Sequence, residues 1–174
     1  MRQFGIFAAV VVAMASGVAG SAVAQQKASP RDSVKATIGG GTVSINYGRP
    51  SMRGREIMGG LVPWGQVWRT GANEATTLVT TKALMFGSVM VPAGTYTLFT
   101  VPGKDGWKLI INKQTGQWGL EYHEEQDLAR VDMKVEALTA PVEMFTIKLE
   151  AKGGSGTLRL EWEKTAAVVS FMAH

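Results

Sequence analysis

Val131-Asp132-Met133-Lys134-Val135-Glu136, Phe145-Thr146-Ile147-Lys148-Leu149-Glu150 and Leu158-Arg159-Leu160-Glu161-Trp162-Glu163 each alternate strictly between apolar and polar side chains. Successive residues of a strand point to opposite faces of a sheet, so each run presents one dry face and one wet face. An amphipathic helix would space its apolar residues three and four apart, and none of these runs does so. Turn chemistry separates them: Ala140-Pro141 follows the first run, and Gly153-Gly154-Ser155-Gly156 lies between the second and third, where glycine permits positive φ. The three runs are expected to form an antiparallel meander.

The same rhythm extends upstream. Val34, Ala36 and Ile38 can pair with Val43, Ile45 and Tyr47 across Gly39-Gly40-Gly41, and residues 96–101 with residues 107–111 across Gly103-Lys104-Asp105-Gly106. Residues 76–81, a short run near 88–91 and a last run at 168–171 complete the set, and no long helix is indicated. The expected fold is all-β: an antiparallel β-sandwich, or a partly open barrel, of about nine strands in one domain over residues 31–174.

The N-terminus follows the plan of an export signal, with Arg2 as a positive start, an apolar stretch from Phe4 to about Val18, and Ala22-Val23-Ala24 as a small-residue cleavage site. Ser16, Gly17, Gly20 and Ser21 interrupt the apolar stretch, whereas a spanning helix needs about 20 consecutive apolar residues. Cleavage after Ala24 is expected to send the protein to the periplasm or beyond, with no membrane span left. Residues 25–30 read as a disordered leader. The absence of any Cys argues against a lipoprotein and against disulfides, so stability must come from core packing.

The formal charge is +4, falling to +3 once Arg2 is removed, which is too mild to suggest nucleic acid. No Gly-x-Ser-x-Gly elbow, phosphate loop or dinucleotide fingerprint occurs, so no cofactor is expected. His123 is separated from the other histidine, His174, by most of the C-terminal half, and with no Cys available a zinc site is not expected. Carboxylate pairs such as Glu74 with Glu121 or Glu143 could be imagined for glycoside hydrolysis, but sequence gives no separation in space.

Two stretches break the strand rhythm, residues 48–75 and 113–127, and the second has room for a short helix around 121–128. Long irregular connections in compact domains are often functional. The first carries Arg49, Arg53, Arg55 and Arg69 among Trp64, Trp68, Asn73 and Glu74, with several glycines. Guanidinium forks bind carboxylate or phosphate, indoles offer flat apolar surfaces, and glycine allows close backbone approach. The same residues could instead be structural, with the tryptophans closing one end of the core and Arg69 paired with Glu74.

Five blocks in order carry a family resemblance: Tyr47-Gly48-Arg49-Pro50, Arg53-Gly54-Arg55, residues 68–76 (WRTGANEAT), Pro92-Ala93-Gly94-Thr95-Tyr96, and residues 107–112. Through them, residues 29–150 or so resemble the bacterial domain of unknown function 2911 family. The resemblance implies an exported β-rich protein and carries no catalytic assignment. Arg49, Arg53, Arg69, Asn73, Glu74 and Tyr96 fall within its blocks.

A non-enzymatic module is therefore expected, binding a small anionic or sugar ligand, or an envelope protein, through Arg49, Arg53, Arg69, Trp64, Trp68, Asn73, Glu74 and Tyr96. The alternative is a hydrolase with Glu74 as general base and Arg69 or Arg49 stabilising developing negative charge. In a third reading, exposed β edges dock to another envelope protein.

Overall fold

A computed structural model describes residues 29–174; the expected signal peptide, its cleavage site and residues 25–28 lie outside these. In chain order the strands are β1 (Arg31–Ile38), β2 (Gly41–Gly48), β3 (Thr76–Thr80), β4 (Leu84–Phe86), β5 (Val89–Val91), β6 (Gly94–Val101), β7 (Trp107–Asn112), β8 (Asp127–Lys152) and β9 (Ser155–Ala173). They form one open sheet of nine strands, in the order β1-β2-β3-β6-β7-β8-β9-β4-β5, with every pairing antiparallel. The all-β antiparallel class stands, with the nine strands joined in one open sheet. In place of the short helix expected around 121–128 there is one turn of 3-10 helix, Glu124–Gln126.

The two upstream hairpins form where the alternation placed them. Ile38 pairs with Gly41 around Gly39 and Gly40, whose φ angles are 56° and 75°. A two-residue hairpin with both central residues at positive φ is the type I′ turn, whose twist matches that of the strands it joins. β6 and β7 pair from Thr97↔Asn112 to Val101↔Lys108.

The C-terminal meander requires correction. The first two runs belong to one strand, β8, and the third run joins residues 168–171 in β9. Residues 127–133 of β8 pair with β7 and residues 134–152 pair with β9, so one strand links both halves of the sheet. The register shifts between Ala137 and Val142 and again before Thr146, so Pro141 falls where the ladder is interrupted. Proline lacks the N–H that a regular ladder needs, and a bulge tolerates it. Opposite Val142 stands Glu163 with φ 54°, a left-handed residue at the bend of β9. The Ala140-Pro141 signal thus marks a bend within a strand, whereas the glycine signal at 153–156 marks the expected reversal, from β8 into β9 at Lys152↔Ser155.

The bent sheet folds its first strands against its last. Ile45, Tyr47, Leu98, Leu109, Phe145, Leu160 and Trp162 share one buried cluster, and β1 lies against β8. Just past β2 the chain reaches the otherwise unpaired edge of β8. Phe145 N–H donates to the Pro50 carbonyl, Met52 N–H to the Glu143 carbonyl, and Ile147 N–H to the Tyr47 hydroxyl. An uncovered edge would expose a row of such groups for pairing with other chains.

Candidate functional site

The long segment after β2 crosses one end of the core and takes its position from backbone pairing. Where β3 stops short, Trp68 takes the place beside Thr100, exchanging N–H to carbonyl bonds of 2.7 and 2.9 Å. Its indole sits among Trp107, Phe145 and Trp162, stacked on the last with centroids 5.8 Å apart. Beyond it, Thr70 is fully buried at φ 52°, held by the Thr76 hydroxyl on its carbonyl (2.8 Å) and by the Thr100 hydroxyl on its own (3.1 Å). Arg53 (φ 50°) and Asn73 (φ 65°) are also left-handed. Non-glycine residues in that region cluster where the surroundings over-determine the backbone, often at ligand sites.

The two irregular segments meet. Ala75 N–H donates to the Gln117 carbonyl and Gly119 N–H to the Asn73 carbonyl, and Arg69 packs on Gly119. Leu120 is thereby brought beside the first segment, where it lines a cavity of about 240 Å³ together with Pro50, Leu61, Val67, Trp68, Arg69 and Trp162. A second cavity of about 190 Å³ adjoins it, lined by Ser51, Arg53, Arg55, Arg69 and Asn73 among others. Pro50, Leu61 and Arg69 belong to both. Among the described residues, no acidic side chain lines either one. Arg69 Nε donates to the Gly71 carbonyl (3.2 Å), and burial lowers the pKa of its guanidinium.

The other singled-out residues divide by what they touch. Arg49 is a clamp: it donates to the Phe145 carbonyl, to the Thr146 hydroxyl and to Asp32. Arg53 offers its backbone N–H to Glu143 while lining the second cavity. Trp64 lies over Gly59, where a Cβ would come within 2.6 Å of the indole nitrogen. Asn73 donates to the Ser29 carbonyl and Pro30 accepts from Arg49 N–H, so the end of the expected leader is fastened to the fold. Tyr96 is buried and donates to the Pro92 carbonyl at 3.0 Å, fixing the turn before β6. Glu74 meets Arg31 at 3.2 Å, a pairing that replaces the expected contact with Arg69. His123 faces Glu125 on the surface, and no group of three potential metal-ligating side chains occurs among the described residues.

The family model for a protein of unknown function, DUF2911, matches residues 29–171. The chain belongs to the DUF2911 family. Comparison with the curated proteins and with the solved structures returns no match.

In this DUF2911 chain the block Tyr47-Gly48-Arg49-Pro50 supplies a hydroxyl, a guanidinium and a carbonyl to one strand edge, which is a structural task. The block 92–96 forms a turn, also structural. Arg53, Arg55 and Arg69 line the cleft, where the Arg55 guanidinium also donates to the Ser51 and Met52 carbonyls. Sequence reasoning missed Leu61, Val67, Leu120 and Trp162 as cleft walls. Leu120 did carry a signal, as a large apolar residue between Gly119 and Glu121 outside any strand rhythm. Trp162 carried none, since its alternation marks it only as core.

Proposed function

We propose that this chain is an exported, non-enzymatic binding module that takes a small anionic ligand in the cleft between Pro50 and Asn73. The observation that carries the proposal is the charge of the walls. Arg53, Arg55 and Arg69 line them, with no acidic side chain among the described lining residues. A guanidinium drawn partly out of water gains from an anionic partner, and its planar fork fits carboxylate or phosphate. Glu74, the base of the hydrolytic alternative, lines neither cavity and is paired with Arg31, which supports binding over turnover. The N-terminal export plan supports a destination in the periplasm or outside the cell.

Thermal-shift screening of the purified protein against carboxylates, phosphates and sugars tests this. The control is the double variant Arg53→Ala with Arg69→Ala, which keeps the Arg49 clamp. A ligand present at a hundred times its Kd stabilises the native state by about 2.7 kcal/mol. The expected result is stabilisation of the parent by anions and a flat response of a variant that still folds. Equal stabilisation of both proteins would exclude the cleft as the site.

A further inference from the structure

The two adjoining cavities differ in chemistry, and the difference specifies the ligand. The larger is walled by Pro50, Leu61, Pro63, Val67, Trp68 and Leu120 on its apolar side. The smaller is walled by Ser51, Arg53, Arg55 and Asn73. Arg69 stands on the boundary, lining both. On the basis of the binding reading above, we propose that the ligand is a compact apolar carboxylate, its head on Arg69 and its body, about one ring or one short branched chain, in the cavity bounded by Leu61, Leu120 and Trp68.

Three observations lead to that class. Leu61, Val67 and Leu120 are 46%, 38% and 72% exposed, and all three stand around this one cavity. Large apolar side chains gathered in the open around a concave surface mark a binding site more often than chance exposure does. Size is the second. An apolar cavity of about 150 Å³ takes up benzene, and the larger cavity here measures about 240 Å³. The third concerns the head group. Moving a charge out of water is costly unless it is paired, and a monoanionic carboxylate carries less charge into the cleft than a phosphate dianion while still matching the guanidinium fork. A sugar would set hydroxyls against leucine and proline with nothing to pair them. Nor does it find a stacking platform, because Trp162 is 1% exposed and Trp68 is 8% exposed and stacked on it.

Calorimetric titration of the purified protein tests the inference, with phenylacetate, 4-phenylbutyrate, isovalerate and indole-3-acetate as probes and phenylacetamide, acetate, inorganic phosphate and glucose as comparators. At least one apolar acid is expected to bind tenfold or more tightly than its amide and than acetate. Arg69→Gln should abolish the preference for acid over amide, and Leu61→Asp the preference for the apolar acid over acetate, in variants whose near-ultraviolet circular dichroism matches the parent. Phosphate or glucose binding through Arg69 without any apolar acid binding would overturn the ligand class and leave the cleft as the site. Apolar acid binding unchanged by both substitutions would also overturn it. If no probe or comparator binds, the class and the binding reading fall together.

Discussion

The indole of Trp68 lies on that of Trp162, centroids 5.8 Å apart and 21° from parallel. One ring comes from the irregular segment after β2 and the other from β9, so this contact fastens the cleft to the sheet. Phe145 meets Trp68 edge-on at 5.0 Å and completes the cluster. Trp162→Ala should cost roughly 3–5 kcal/mol in urea unfolding, because a large buried side chain leaves a cavity behind. Trp64→Ala, on a half-buried ring, should cost clearly less. Equal losses would show that the cluster does not anchor the segment.

Tyr47 accepts a hydrogen bond of 3.0 Å from Ile147 N–H on the β8 edge that faces away from β9. Tyr47→Phe keeps the ring and removes the acceptor, stranding a buried N–H. A loss of about 1–3 kcal/mol is expected, together with faster hydrogen exchange at Ile147. Unchanged exchange there would mean that water or another group serves that amide.

Gly48 ends β2 beneath the backbone of Ala72, and a Cβ on it would lie 2.1 Å from the Ala72 carbonyl oxygen. Because the obstacle is backbone, it cannot rotate away. Gly48→Ala should destabilise the protein by about 3 kcal/mol or more and should distort the cleft, since Ala72 lines it. A variant as stable as the parent would show that the 70–73 turn is not fixed where it lies.

Burial and a hydrogen bond of 2.7 Å to Asp127 push the Tyr122 hydroxyl up to about 12. An unfolded tyrosine titrates near 10. The folded state therefore holds this proton more tightly, and the stability it contributes is complete below about pH 10 and is lost as pH rises through 12. Phenolate absorbance of the folded protein should show a step near pH 12 that Tyr122→Phe removes. If Tyr122→Phe leaves the absorbance profile of the folded protein unchanged near pH 12, the Tyr122–Asp127 contact does not persist in solution.

How much of this was legible depends on the range of each interaction. The β1–β2 hairpin was readable because its alternation and its Gly39-Gly40 turn are local. Pro141 misled because the same residue that ends a strand can sit in a bulge, and only the partner strand β9 distinguishes the two. Arg49 shows the same limit at a site. A guanidinium suits a ligand or a carbonyl equally well, and its partner Phe145 lies 96 positions away. Arg53 and Arg69 lie in the segment that lines the cleft, whereas Leu120 and Trp162 reach it only through tertiary packing.

A crystal structure of the protein grown with a saturating amount of the tightest-binding of the four apolar acids tests the ligand assignment most directly. The carboxylate is expected within hydrogen-bonding distance of Arg69, and the apolar body in the cavity bounded by Leu61, Leu120 and Trp68. A cleft filled only by solvent at that concentration, or the ligand bound elsewhere on the sheet, would contradict it.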